Sequence, residues 1–128
     1  MKEELIKLLD NSYSPYSNYK VASIVVMKDG NIFKGVNVEN ASYGATVCAE
    51  RIAIFNAISC GYKRYDFDKL YVMNATDKIG ASCFLCRQVI SELFDKDCEI
   101  IFMSKDGKEE HHKVSDLCPF PFSDDDLQ

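Results

Sequence analysis

Positive charge is not in excess here: 15 lysine and arginine residues face 20 aspartate and glutamate residues, giving a net charge of −5 and a pI near 5.0. No basic stripe is therefore available to neutralise a phosphate backbone. That argues against DNA or long RNA as a partner and for a small, uncharged or cationic substrate. Also missing is any run of about eighteen apolar residues, so no membrane-spanning helix is expected. A signal-peptide core is lacking too, because Met1 to Lys7 threads charges through its apolar residues. Six cysteines in such a sequence read as reduced thiols of a cytoplasmic protein. In that compartment close cysteine pairs bind metal or do chemistry more often than they form disulfides. Internal repeats and interdomain linkers are absent as well. The 128 residues are the size of one domain and long enough to bury a core.

What is present is a clear alternation of elements. Leu5, Ile6, Leu8, Leu9 and Tyr13 fall on one side of a helix that fades at Ser12-Tyr13-Ser14-Pro15. Val21 to Met27 reads as a strand apolar on both faces, Lys28-Asp29-Gly30 as a hairpin turn, and Asn31 to Val38 as the returning strand. Residues 47–60 read as a helix with one apolar stripe on Ala49, Ile52, Ala53, Ala57 and Cys60 and a second on Ile54, Phe55 and Ile58. A helix apolar nearly all round must be covered nearly all round, and in so short a chain a partner subunit is the expected cover. Leu70 to Met73 is a third strand, residues 84–94 a further helix, and Glu99 to Met103 a fourth strand. Lys105-Asp106-Gly107-Lys108 turns this into a fifth. The order αββαβαββ is an α/β fold, with a single mixed sheet of about five strands flanked by helices. The domain spans 1–122, and the acidic end, 123–128, is expected to fray.

Chemistry concentrates in Cys48-Ala49-Glu50 and Cys83-Phe84-Leu85-Cys86. Two thiolates of a C-x-x-C pair can reach one tetrahedral Zn²⁺ from a single turn. All three cysteines stand at predicted helix starts, where exposed N–H groups and the positive dipole end favour thiolate over thiol. Three thiolates and a hydroxide would leave the site at a formal charge that blunts its acidity, and Arg51 is placed in sequence to offset it by donating to the sulfurs. Glu50 follows Cys48 by two residues, about 200° around a regular helix. Both can face one site only if Cys48 sits at the edge of the helix rather than inside it. On spacing alone a structural zinc remains open, with a fourth ligand from Cys60, Cys98, Cys118, His111 or His112, as does no metal at all. His111-His112 is expected on an exposed strand, and the other three cysteines as packing residues.

These motifs resemble those of the short, homotetrameric cytidine deaminases. Ser14-Pro15-Tyr16-Ser17-Asn18-Tyr19, Gly35 to Tyr43, Cys48-Ala49-Glu50-Arg51 and Cys86 to Glu92 carry the likeness, which runs from about Ser12 to Phe122. The resemblance implies a cytidine deaminase-like fold and one Zn²⁺ per chain on Cys48, Cys83 and Cys86, with water as fourth ligand. It makes Glu50 the general acid and base, puts Asn37 and Glu39 on the ribose hydroxyls, and has Ala49 offer its backbone N–H to the pyrimidine. Tyr19 takes the place of an aromatic beside the nucleoside. Tyr43 and Phe122 match aromatics that help build a neighbouring subunit's pocket. The implied reaction is hydrolytic deamination of cytidine and 2′-deoxycytidine to the uracil nucleoside and ammonia, a step of pyrimidine salvage. The ribose assignment agrees with strand geometry, since side chains two apart on a strand point to one face. Two departures stand out: Ser82 where the family usually has proline, and Phe84, where many members have glycine, as a bulky ring crowding the first helical turn. Alternatives are a deaminase of a related aminopyrimidine nucleoside of the blasticidin type and a non-catalytic zinc-binding protein of the same fold.

Overall fold

Asp29-Gly30 turns the chain as its sequence demands, with Gly30 at φ +91°, a conformation that glycine adopts without steric cost. The structure is a computed structural model, and it describes residues 1–127. On either side of this turn β1 (Val21–Met27) and β2 (Ile32–Val36) pair antiparallel, with Val25 opposite Phe33. The other edge of β1 pairs antiparallel with β3 (Phe67–Asn74), and β3 lies parallel to β4 (Glu99–Met103). That parallel step needs a crossover, which runs through the later helix of residues 84–93. A second hairpin brings β5 (Glu109–Lys113) alongside β4. The result is the expected mixed five-stranded sheet, in the order β2-β1-β3-β4-β5.

Helices cover both faces, which is why the central strands are apolar on both. On one face α1 (Lys2–Leu9) seats Leu5 and Leu9 against Ala22, Ile24, Met73 and Ile101. On the other, α2 (Ala49–Ser59) and α3 (Phe84–Leu93) place Ala53, Ile54, Ala57 and Ile90 on Val25, Leu70, Val72 and Ile100. Gly35 sets how closely α2 lies on β2. A Cβ there would come 2.5 Å from the carbonyl oxygen of Ala49 and 2.6 Å from the nitrogen of Ala53. Only a residue without a side chain lets the helix backbone rest on the strand.

Several details differ from the patterning. The buried face of α2 is one stripe of Ala49, Glu50, Ala53, Ile54 and Ala57, while Phe55, Ile58 and Cys60 are exposed and Ile52 is half-buried. Tyr13 lies beyond α1 and pairs instead with Val38, which also bridges Val47. A short α4 (Val114–Leu117) follows β5, and Tyr43–Ala45 forms a 3₁₀ turn. At the acidic end Asp124–Leu127 forms a 3₁₀ helix. The Ser123 N–H donates to the Asp126 carboxylate at 2.9 Å, and Arg64 pairs with Asp124 at 3.1 Å. Gln128 lies outside the described residues. Among the described residues no helix is long and apolar enough to cross a membrane.

Candidate active site

Cys48 caps α2 with φ −72° and ψ 154°, and Cys83 caps α3 with φ −66° and ψ 164°. Both are extended, so each sulfur swings off its helix axis toward the gap between the two helix starts. This resolves the spacing problem: Cys48 stands outside the helical turn and Glu50 inside it, and both face one cavity. Cys86 follows from the first turn of α3 and is buried. The three sulfurs lie within 4.8 Å of one another, with Cys48 and Cys83 at 3.6 Å. Two sulfurs each about 2.3 Å from one tetrahedral zinc sit about 3.8 Å apart, so the donor set fits that ion.

A hydrogen bond between Cys48 and Cys86 moves the two thiols in opposite directions. A hydrogen bond from Cys86, helped by Arg51 and Cys83, lowers Cys48 to about 5 against the opposing effect of burial. Cys86 is driven strongly upward by that same bond, by burial and by the nearby Glu50 carboxylate. A dication is what would let Cys86 ionise beside Cys48. Arg51 Nη2 approaches Cys48 Sγ at 3.5 Å, while its buried Nε has no hydrogen-bond partner. Among the described residues no other histidine, cysteine or carboxylate joins the cluster. Cys60, Cys98, Cys118, His111 and His112 all stand apart from it. Cys98 donates to the Phe67 carbonyl at 3.4 Å, and the histidines sit on β5 against Glu99, Glu109 and Glu110. Three protein ligands and an open position are the pattern of catalytic rather than structural zinc.

Glu50 is only 3% exposed. Burial lifts its carboxyl above the usual carboxylate range, and a hydrogen bond from the Ser82 hydroxyl, at 2.7 Å, pulls it part of the way back. Phe84 leaves the first turn of α3 uncrowded, contrary to expectation. Its ring is 76% exposed and lies beneath the Arg87 guanidinium, 4.5 Å away.

The cavity holds about 340 Å³ and opens at the sheet end where β1 begins and β3 and β4 finish. Tyr19, Asn37, Glu39 and Ala49 all line it beside Cys48, Cys83 and Glu50. Asn37 and Glu39 lie just past the end of β2, yet both still turn to the cavity. Asn37 Nδ2 donates to the Tyr19 carbonyl at 2.7 Å, and its Oδ1 accepts from the Val21 N–H at 2.9 Å and from the Ser12 hydroxyl. Glu39 accepts from the N–H groups of Tyr16 (3.0 Å) and Ser17 (3.1 Å) and from the Ser17 hydroxyl. Those bonds, the hydroxyl foremost, hold Glu39 below the usual carboxylate range, so it is an ionised acceptor.

Tyr43 and Phe122 do not reach this cavity within one chain. Tyr43 is 79% exposed and meets Tyr16 edge-on, and Phe122 is 57% exposed with its carbonyl accepting from Gln88 Nε2 at 2.8 Å. Unanticipated lining residues include Asn74, at the end of β3, and Gly80, on which a Cβ would come within 2.7 Å of the Tyr19 hydroxyl. An asparagine closing a strand is a turn signal in sequence, and here Asn74 accepts from the Thr76 N–H at 2.9 Å, but nothing local ties it to a pocket.

Three thiolates able to hold Zn²⁺, with room for water and a buried carboxylate alongside, make this a hydrolytic zinc enzyme. The chain belongs to the cytidine and deoxycytidylate deaminase family, whose zinc-binding region its residues 1–103 match. It is 38% identical to a cytidine deaminase of Halalkalibacterium halodurans over 98% of this chain and 93% of that one. A crystal structure of cytidine deaminase from Burkholderia pseudomallei superposes with a TM-score of 0.89 at 39% identity, covering 94% of each chain. More distantly, a blasticidin-S deaminase of Bacillus cereus is 30% identical over 84% of this chain and 79% of that one.

Proposed function

We propose that the protein deaminates cytidine and 2′-deoxycytidine hydrolytically, consuming water and releasing the uracil nucleoside and ammonia. The observation that carries this reading is the buried Glu50 carboxyl in the same cavity as a three-cysteine cluster with an open side. Cys48, Cys83 and Cys86 hold one Zn²⁺ per chain. That ion, when bound, lowers the pKa of a water to about 7 and so supplies a nucleophile at neutral pH. Glu50 takes one proton from the water and hands it to ring N3, where it stays and makes C4 electrophilic. After the oxygen has added to C4, Glu50 takes the second proton from the new C4 hydroxyl and delivers it to the departing amino group, which leaves as ammonia. A carboxyl lifted by burial suits a group that must both accept and release protons near neutral pH.

Asn37 and Glu39 bind the ribose hydroxyls. The ionised Glu39 accepts from a hydroxyl, and the second Asn37 amide hydrogen is free of the Tyr19 bond to donate to one. The Ala49 N–H meets the pyrimidine and Tyr19 flanks the nucleoside. Arg51 tempers the sulfur charge from the outer side. Tyr43 and Phe122 complete the site of a neighbouring subunit in a homotetramer, a reading supported by their exposure and by the uncovered Phe55 and Ile58 of α2. The protein works in the cytoplasm on a small nucleoside, without nucleic acid.

Ammonia release from cytidine by zinc-loaded protein tests the reaction, with blasticidin S assayed in parallel. Activity on blasticidin S alone would transfer the reading to that class of nucleoside. Zinc binding without either activity would leave a non-catalytic zinc protein.

A further inference from the structure

The Glu50 carboxyl must spend part of each catalytic cycle charged and part neutral, and a flexible four-bond side chain is a poor device for that unless something fixes its aim. Its Oε2 accepts from the Ser82 hydroxyl at 2.7 Å, with both residues buried. Ser82 is itself held from behind. Its carbonyl accepts from Arg87 Nε at 2.9 Å, and Arg87 Nη1 donates to the Leu117 carbonyl at 3.2 Å. The next residue, Cys83, caps α3 and carries one of the sulfurs. The hydroxyl is thus mounted next to a metal ligand, on backbone that Arg87 holds in place.

We infer that Ser82 is a positioning residue for Glu50: its hydroxyl engages Oε2 throughout the cycle, leaving Oε1 as the oxygen that faces the reacting atoms. A hydroxyl can do this in both charge states. It donates to Oε2 of the carboxylate and, once a proton sits on Oε1, goes on donating to Oε2 as the carbonyl oxygen of the acid. The contact therefore survives each proton transfer without moving heavy atoms, which keeps the carboxyl preorganised between the proton's pick-up and its delivery. This inference rests on the proton-carrying role proposed for Glu50.

Ser82→Ala removes the hydroxyl while leaving the backbone and its Arg87 contact in place. Hydrogen bonds to charged groups commonly carry enough free energy for kcat to fall about 10- to 100-fold. KM for cytidine and zinc content should stay within about twofold of wild type, and crystals of the zinc-loaded variant should show Glu50 in more than one orientation. Ser82→Thr keeps a hydroxyl and should recover most of the lost kcat; if its extra methyl costs zinc, the alanine variant decides alone. A fall in kcat of less than about fivefold overturns the inference. So does a fall accompanied by lost zinc or raised KM, a Glu50 that keeps one orientation, or a folded, zinc-loaded threonine variant no better than alanine. Wild-type protein inactive on cytidine would instead refute the proposed reaction, so the two failures are told apart.

Discussion

Gly35→Ala should damage catalysis although Gly35 does not itself line the cavity. The new methyl carbon would lie 2.5 Å from the Ala49 carbonyl oxygen, 2.6 Å from the Ala53 nitrogen and 3.1 Å from Ile52 Cβ. Two of these are backbone atoms and cannot rotate away. Ordinary contact begins near 3.4 Å, so α2 must back off β2 by roughly 0.9 Å at its first two turns, by difference from the shortest of those distances. Overpacking of this kind costs about 1–3 kcal/mol. For a domain of this size that corresponds to a fall in melting temperature of roughly 3–15 °C. The start of α2 carries Cys48 and Glu50, while Cys83 and Cys86 ride on α3, so the displacement opens the site along the Glu50 side. A misplacement of about 1 Å costs on the order of 100-fold in rate. Differential scanning fluorimetry, zinc analysis and steady-state kinetics on the variant measure each part. A variant with wild-type melting temperature and kcat would refute the claim that this glycine sets the helix height.

Further outcomes follow from the same geometry. Glu50→Ala should lower kcat by about 10²–10⁴-fold or more while one zinc per chain remains, as read by elemental analysis alongside kinetics. Stripping the metal with a chelator should abolish turnover and lower the melting temperature, and added Zn²⁺ should restore both. Phe122→Ala should raise KM for cytidine with zinc content unchanged, since aromatic anchors often cost about 2 kcal/mol when truncated. Light scattering at micromolar concentration should report four chains, and a fully active monomer would remove the shared pocket.

Local rules reached the fold where local chemistry decides it. Asp29-Gly30 forces a turn whatever surrounds it, and the β-branched run of β1 fits only a strand covered on both faces. They reached the cysteine cluster because thiols at helix starts are a signal read within a few residues, whereas the role of Glu50 came with the family resemblance. They missed α4, whose four residues are too few to establish a helical period. The acidic end was legible only as solvated charge, because its anchor, Arg64, lies 60 residues away in sequence. On α2, Gly35 brings the alanine stripe against the strand, and Phe55 and Ile58 of the second stripe are left outside the core of the single chain. Ser82 is the sharpest case: as a sequence position it is merely a missing proline, and its partner is 32 residues distant.

The two extended helix caps carry a consequence for how the chain holds together. Cys48 and Cys83 are 35 residues apart, and the stretch between them contains α2, β3 and the loop that leads to α3. An ion gripping both sulfurs closes that stretch into a ring, as a covalent crosslink would. By the polymer entropy of loop closure, a ring of this length restricts the unfolded chain by about 4 kcal/mol, a large share of the stability of an ordinary small domain. The centre that activates water is thus also a buckle, and a chain synthesised in zinc shortage loses its fastening together with its chemistry.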